Sequence, residues 1–141
     1  MKRRTLLESA KTAIYRDRMT APVKSLMFDG LIKGRILDYG CGHSKDGFLL
    51  GGDRYDPYYF PEKPEGRYDT ILCTYVLNVV DALTARGITE SIKELLAPSG
   101  NAYITVRRDM KRVGPVQRLV RLKLPTVKEN SSFATYVLHK N

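Results

Sequence analysis

Apolar residues recur at helical spacing from Thr5 to about Ile32: Leu6, Leu7, Ala10, Ala13 and Ile14 form one set, Val23, Leu26, Met27 and Leu31 the next. A three-and-four rhythm of this kind predicts helix, and Pro22 between the two sets predicts two short helices. The rhythm then changes. "GRILDYG" (34–40) is a compact apolar run closed by glycine and reads as a buried strand, and "KDGFLL" (45–50) reads as the start of a helix. "GGDRYDP" is a short strand stopped by Pro57, and "YYFPEKPEG" (58–66), with two prolines and a glycine, is loop. "YDTILCTYVL" (68–77) is the most β-prone run of the chain. "DALTARGITESIKELLAPSG" (81–100) predicts a helix stopped at Pro98 and Gly100. "NAYITVRR" (101–108) is a further strand. "VQRLVRLKL" (116–124) and "SSFATYVLH" (131–139), separated by a loop with Pro125 and Asn130, predict an antiparallel pair.

Strands alternating with helices imply an α/β fold, a mostly parallel sheet with helices on both faces, and such sheets bind ligands at the carboxyl ends of their strands. The stretch "ILDYGCGHSKDG" (36–47) lies at that edge. Gly40 and Gly42 let the backbone turn sharply and let a ligand approach without meeting a Cβ. Asp38 adds an acceptor at the strand end, which suits a ligand bearing an ammonium group and serves a phosphate poorly. The dinucleotide fingerprint needs a third glycine where this chain has Lys45, and the Gly-Lys-Ser/Thr of a P-loop is absent.

A chain of 141 residues is enough for one domain with a real core. No run of about 18 apolar residues is present to span a membrane, and charged residues interrupt the N-terminus too soon for a secretion signal. The expectation is a soluble, cytoplasmic protein. Cys41 and Cys73 make no disulfide framework, and with only His43 and His139 beside them no metal-ligand spacing appears. Both cysteines read as small buried hydrophobes. The net charge of +9 is unevenly spread: +6 over residues 1–35, −4 over 36–106 and +7 over 107–141. Basic ends attract polyanions through counterion release; the alternative is that these runs are solvated faces.

"LDYGCGHSKDG" resembles the first motif of class I S-adenosylmethionine-dependent methyltransferases: a hydrophobic strand, an acidic residue and G-x-G. "DRYDP" puts Asp56 at the distance where that family's second strand ends in an acidic residue bonded to the two ribose hydroxyls. "YDTILCTYVLNVVD" is similar to the family's fourth strand and the segment after it, and "LLAPSGNAYITVRR" to its fifth strand. The wider pattern, with "YDPYY" and "YVLNVV", looks like a small methyltransferase group found with DNA phosphorothioation systems, in viruses and in mobile elements. The resemblance implies a reduced class I fold over residues 1–141: a helical cap (1–34), a cofactor-binding core (35–108) and a C-terminal hairpin (109–141). About a dozen residues separate Asp56 from Tyr68, too few for the usual helix and third strand.

The resemblance further implies S-adenosylmethionine as cofactor, held by Asp38, Gly40, Cys41, Gly42, Asp56, Pro57, Tyr58, Thr74 and Tyr75; Arg16 and Arg18 on the N-terminal helix suit pairing with the methionine carboxylate or with a phosphate, the alternative being a solvated helical face. Tyr75 and Asn78 fall where the family contacts the methyl donor's methionine end and the acceptor. "DPYY" (56–59) resembles the Asp/Asn-Pro-Pro-Tyr/Phe motif of amino-methyltransferases, but tyrosine replaces the second proline and the motif belongs after the fourth strand, so the ribose role for Asp56 is preferred. His43 suits either a general base or a ligand-edge residue. Methyl transfer from a sulfonium is an in-line displacement that depends on alignment, so a dedicated base is optional. DNA or RNA is the expected acceptor and partner, through the basic ends. The alternatives are a methyltransferase for a small molecule or protein, and a non-catalytic cofactor-binding module.

Overall fold

The computed structural model describes residues 5–7, 18–109 and 117–141. Arg16 lies outside them. Helix α1 (Ala21–Phe28), the second of the two expected, starts with Pro22 in its first turn, where a missing N–H costs nothing; most of the first expected set, residues 6–14, lies outside the described residues. It ends as a Schellman turn: Gly30, at φ +70°, donates to the Met27 carbonyl, and Leu31 donates to Leu26 O at 3.1 Å.

The strands are β1 (Ile36–Tyr39), β2 (Asp53–Tyr55), β3 (Tyr68–Thr74), β4 (Leu96–Arg107), β5 (Thr126–Glu129) and β6 (Phe133–His139). They form one sheet in the order β2-β1-β3-β4-β6-β5. β1 pairs in parallel with β2 and β3, and β3 with β4, while β6 runs antiparallel to both β4 and β5. The expected mostly parallel sheet and C-terminal antiparallel pair are therefore present. Between β2 and β3 the chain forms only an isolated bridge, Asp56 to Phe60, so no strand takes the place of the missing third strand.

Side chains alternate strictly across the sheet. Ile71 and Cys73 of β3 with Ala102, Ile104 and Val106 of β4 face α3 (Ala82–Leu95), which supplies Ile88 and Ile92. Leu72, Tyr103 and Val137 face the other way, against Val23 and Leu26 of α1. Helices thus cover both faces. The cap of α3 is Asp81, whose side chain accepts from Thr84 N at 2.7 Å.

Two boundaries differ from the sequence reading. Helix α3 stops at Leu95, before Pro98 and Gly100, because Leu96 is already extended and opposite Tyr68 in β4. Pro98 falls where the β3–β4 register shifts, and such a bulge is where a strand tolerates a residue without an N–H. Residues 117–124 are not a strand either, and β5 begins only after Pro125. Arg118 N donates to Asn78 O at 2.6 Å, and Val120, Leu122 and Leu124 pack on the core. This segment is tied to the loop after β3 instead of to a sheet edge.

Candidate active site

The chain leaves β1, adds β2 on one side, and returns to place β3 on the other. The carboxyl ends of β1 and β3 therefore flank the point where strand order reverses, the usual crevice of an open α/β sheet. The loops after these strands meet there. Gly40 has φ +76°, and a Cβ on it would lie 2.8 Å from Cγ2 of Val76, just past β3. Only glycine lets the two loops close to this distance.

The N–H groups of the glycine turn point inward. Gly40 and Cys41 donate to Tyr55 O, at 2.7 and 3.1 Å, and Gly42 donates to Asp56 Oδ1 at 3.1 Å. A phosphate cradle needs such N–H groups aimed at the ligand; here they fasten the turn to the end of β2. Asp56 Oδ2 accepts from Tyr58 N and Tyr59 N, at 3.0 and 2.9 Å. Three of the roughly four acceptor positions of this buried carboxylate are thus taken by backbone. Asp56, expected to accept both ribose hydroxyls, has one lone-pair position left, and its three bonds join the glycine turn to the 56–60 turn. Tyr58, Tyr59 and His43 form an aromatic rim beside it: His43 and Tyr59 are 4.0 Å apart between ring centres, Tyr58 and Tyr59 4.8 Å.

Beneath the turn lie two further buried carboxylates. Asp38 Oδ2 accepts from Gly47 N at 3.2 Å, and Asp46 accepts Thr20 N and Thr20 Oγ1, both at 2.8 Å. Burial, then the neighbouring Asp46, pushes the Asp38 carboxyl up to about 8 against the opposing pull of the Gly47 N–H and Arg54. Burial also raises the Cys41 and Cys73 thiols, with Asp38 adding to both, so each is a neutral buried thiol. The Arg54 guanidinium sits over Phe60 at 4.0 Å and near Phe48 at 5.5 Å.

On the β3 side, Thr74 is half-buried and paired with Thr105. Tyr75 is the one described non-glycine residue with positive φ, +62°, and its N–H donates to Thr105 O at 2.9 Å. An αL tyrosine costs roughly 1–3 kcal/mol and is the kind of backbone outlier that collects at functional sites. Asn78 differs from its expected position. It is fully buried in the 3-10 turn Leu77–Val79, with Nδ2 on Gln117 Oε1 at 2.5 Å. Its Oδ1 has no hydrogen-bond partner among the described residues. Gln117 draws the amide inward, so Asn78 shapes the loop rather than touching an acceptor.

The structure therefore brings together Asp38, Gly40, Cys41, Gly42, Asp56, Pro57, Tyr58, Thr74 and Tyr75 at one edge. Sequence reasoning missed Thr20, Asp46 and Gly47. A Cβ at Gly47 would lie 2.9 Å from Cβ of Asp38 and 3.0 Å from Asp53 O, so Gly47 allows the close helix-to-strand packing given to the third glycine of a dinucleotide fingerprint. Its signal was the Asp-Gly pair two residues after Lys45. Among the described residues no cluster could hold a metal ion, and no helix is long and apolar enough to cross a membrane.

No protein-family model and no curated protein matches the chain. Among solved structures it is similar to the N-methyltransferase NodS from Bradyrhizobium japonicum WM9, with 14% identity over 82% of this chain and 92% of that one, at a TM-score of 0.49. It is also similar to the glycopeptide N-methyltransferase MtfA complexed with (S)-adenosyl-L-homocysteine, with 15% identity over 89% of this chain and 63% of that one, at a TM-score of 0.47.

Proposed function

We propose that this chain is an S-adenosylmethionine-dependent methyltransferase acting on nucleic acid. The observation that carries the reading is the inward-turned glycine turn at the β1/β3 crevice, with its N–H groups held by Tyr55 O and Asp56 Oδ1. It is a nucleoside-sized approach to the backbone without a phosphate cradle, and S-adenosylmethionine is a nucleoside that carries a sulfonium and no phosphate. The sequence motifs of residues 36–81 agree with it.

The residues fit the cofactor in part. The Gly40–Gly42 turn and the Tyr58 edge would hold the nucleoside, Asp56 would keep these two loops in register, and Thr74 and Tyr75 would face the reacting end. Bound there, the cofactor would supply an electrophilic methyl group to the acceptor, the electron pair of the methyl–sulfur bond remaining with sulfur. What the chain contributes is alignment and exclusion of water. Membership of the group associated with DNA phosphorothioation, viruses and mobile elements belongs to the same proposal.

Incubation with methyl-labelled S-adenosylmethionine and parallel DNA, RNA and protein fractions tests the reading. Label in DNA or RNA is expected. Label in protein alone overturns it in favour of a protein methyltransferase, and label in no fraction despite cofactor binding overturns it in favour of a small-molecule methyltransferase or a non-catalytic module.

A further inference from the structure

At the other end of the same sheet edge lies a groove of about 370 Å³ lined by Arg107, Arg108, Leu119, Arg121, Glu129 and Tyr136, with Val120 at its wall. Arg107 ends β4 and Arg108 follows it, Glu129 ends β5, and Tyr136 lies in β6 on the face that α3 covers. We infer that this groove binds a single strand of nucleic acid by its phosphodiester backbone, the arginines contacting phosphates and Leu119 a sugar or base. The inference rests on the nucleic-acid reading above and adds the place and the strandedness.

Three observations carry it. The lining holds three guanidinium groups against one carboxylate, and their existing pairs are weak competitors. Arg107 Nε bonds Asp109 at 3.0 Å, Arg108 Nε lies 3.6 Å from Glu129 while Arg108 Nη1 donates to Asn130 O, and the four side chains of the two ion pairs are about a third exposed or more. Surface pairs of that kind are worth at most about 1 kcal/mol. Arg107 keeps its terminal nitrogens, and Arg121 is exposed without a partner among the described residues. Second, the groove combines this charge with an apolar side chain. Leu119 is 62% exposed and offers a sugar an apolar contact beside a positively charged groove of the kind that tracks a strand's backbone. Third, the position suits delivery. Arg107 ends β4, the strand next to β3, so the groove lies at the same carboxyl edge of the sheet as the β1/β3 crevice. The volume lies at the small end of ligand pockets, about 300–1,000 Å³, and suits one or two nucleotides rather than a duplex.

The experiment uses the full chain with fluorescent single-stranded DNA and RNA of about 12 nucleotides, within the span of such sites, in anisotropy titrations across a salt series. Wild type should bind one or both, with affinity falling as salt rises. Arg121→Gln should weaken binding about fivefold at 0.1 M salt and flatten the slope of log K against log salt by about 0.7, the loss of one phosphate contact on a single strand. Arg121→Lys should restore the slope, and Arg108→Gln should add to the effect. Cofactor affinity by calorimetry should stay at the wild-type value in Arg121→Gln, which also reports an intact fold. Wild-type affinity and slope in both glutamine variants overturn the groove, as does tighter binding to a duplex of the same sequence. Labelling of DNA or RNA that persists with an unchanged KM in these variants overturns the groove and leaves the proposed reaction standing. Strand binding through the arginines with no label transferred upholds the groove and overturns the reaction. The DNA and RNA arms identify which strand is used.

Discussion

At the β1/β2/β3 end of the sheet edge, Asp38, Asp46 and Asp56 are each no more than 2% exposed, and each accepts a backbone N–H. At the β4/β5/β6 end, Arg107, Arg108 and Arg121 stand at the surface around an open groove. The first half is fixed: a buried carboxylate leaves water only when hydrogen bonds replace it, so each one locks a loop. The second half is adjustable, because exposed guanidiniums trade water for a partner at little cost. The proposed cofactor, of one shape, calls for the first kind of surface, and the proposed polymer of variable sequence for the second.

Breaking the fixed half alone should have the largest effect. Gly40→Val puts a Cβ within 2.8 Å of Val76 in a left-handed conformation, and strain plus overpacking together cost about 3 kcal/mol. Calorimetry should find no cofactor binding, while the variant keeps its salt-dependent oligonucleotide affinity; loss of both would mean the two halves do not act separately. Next comes Asp38, whose carboxyl is lifted from 3.8 to about 8 by burial and then by Asp46. The folded form holds a proton that the unfolded chain releases, so this group's contribution to stability is complete below about pH 4, declines as pH rises, and is lost by about pH 8. Asp38→Asn keeps an acceptor for Gly47 N and has no such proton, so urea midpoints at pH 5, 7 and 8.5 should fall less steeply than in wild type. Parallel slopes would place the titration elsewhere.

Asp46→Ala leaves the N–H and hydroxyl of Thr20 without acceptors, an expected loss of about 2 kcal/mol in a denaturant titration. It also frees residues 18–20 from the glycine turn, so cofactor affinity should fall with stability. The smallest change tests the join between the halves. The Arg118 guanidinium donates to Val80 O at 2.5 Å and to Leu77 O at 3.2 Å, tying the groove wall to the loop after β3. Lysine has no fork to reach both carbonyls, and Arg118→Lys should cost about 1 kcal/mol. If the groove is coupled to the crevice through this residue, the variant should raise the KM for nucleic acid more than it lowers cofactor affinity.

The hydrophobic rhythm of the chain was enough to place β1, β3, most of β4, β6 and the body of α3, and to exclude a third strand between Asp56 and Tyr68. These are long or strongly patterned segments whose local preference agrees with their packing. It misplaced the end of α3 and the penultimate strand for one reason: "LLAPSG" and "VQRLVRLKL" have local signals that tertiary pairing overrides. Leu96 is captured by Tyr68 of β3, and Arg118 is captured by the carbonyls of Leu77 and Val80. The candidate site divides in the same way. Glycine spacing and the acidic strand end, both local features, marked Asp38, Gly40 and Gly42, while Asp56 and Tyr75 were marked only by the resemblance to the methyltransferase motifs. Only the tertiary structure decided what those residues do. It turned the N–H groups of the glycine turn inward, occupied Asp56 with backbone, buried Asn78 against Gln117, and brought Thr20 to Asp46 across 26 positions. Hydrogen-bond direction and burial depend on what arrives from distant parts of the chain, and no local pattern of residues encodes that.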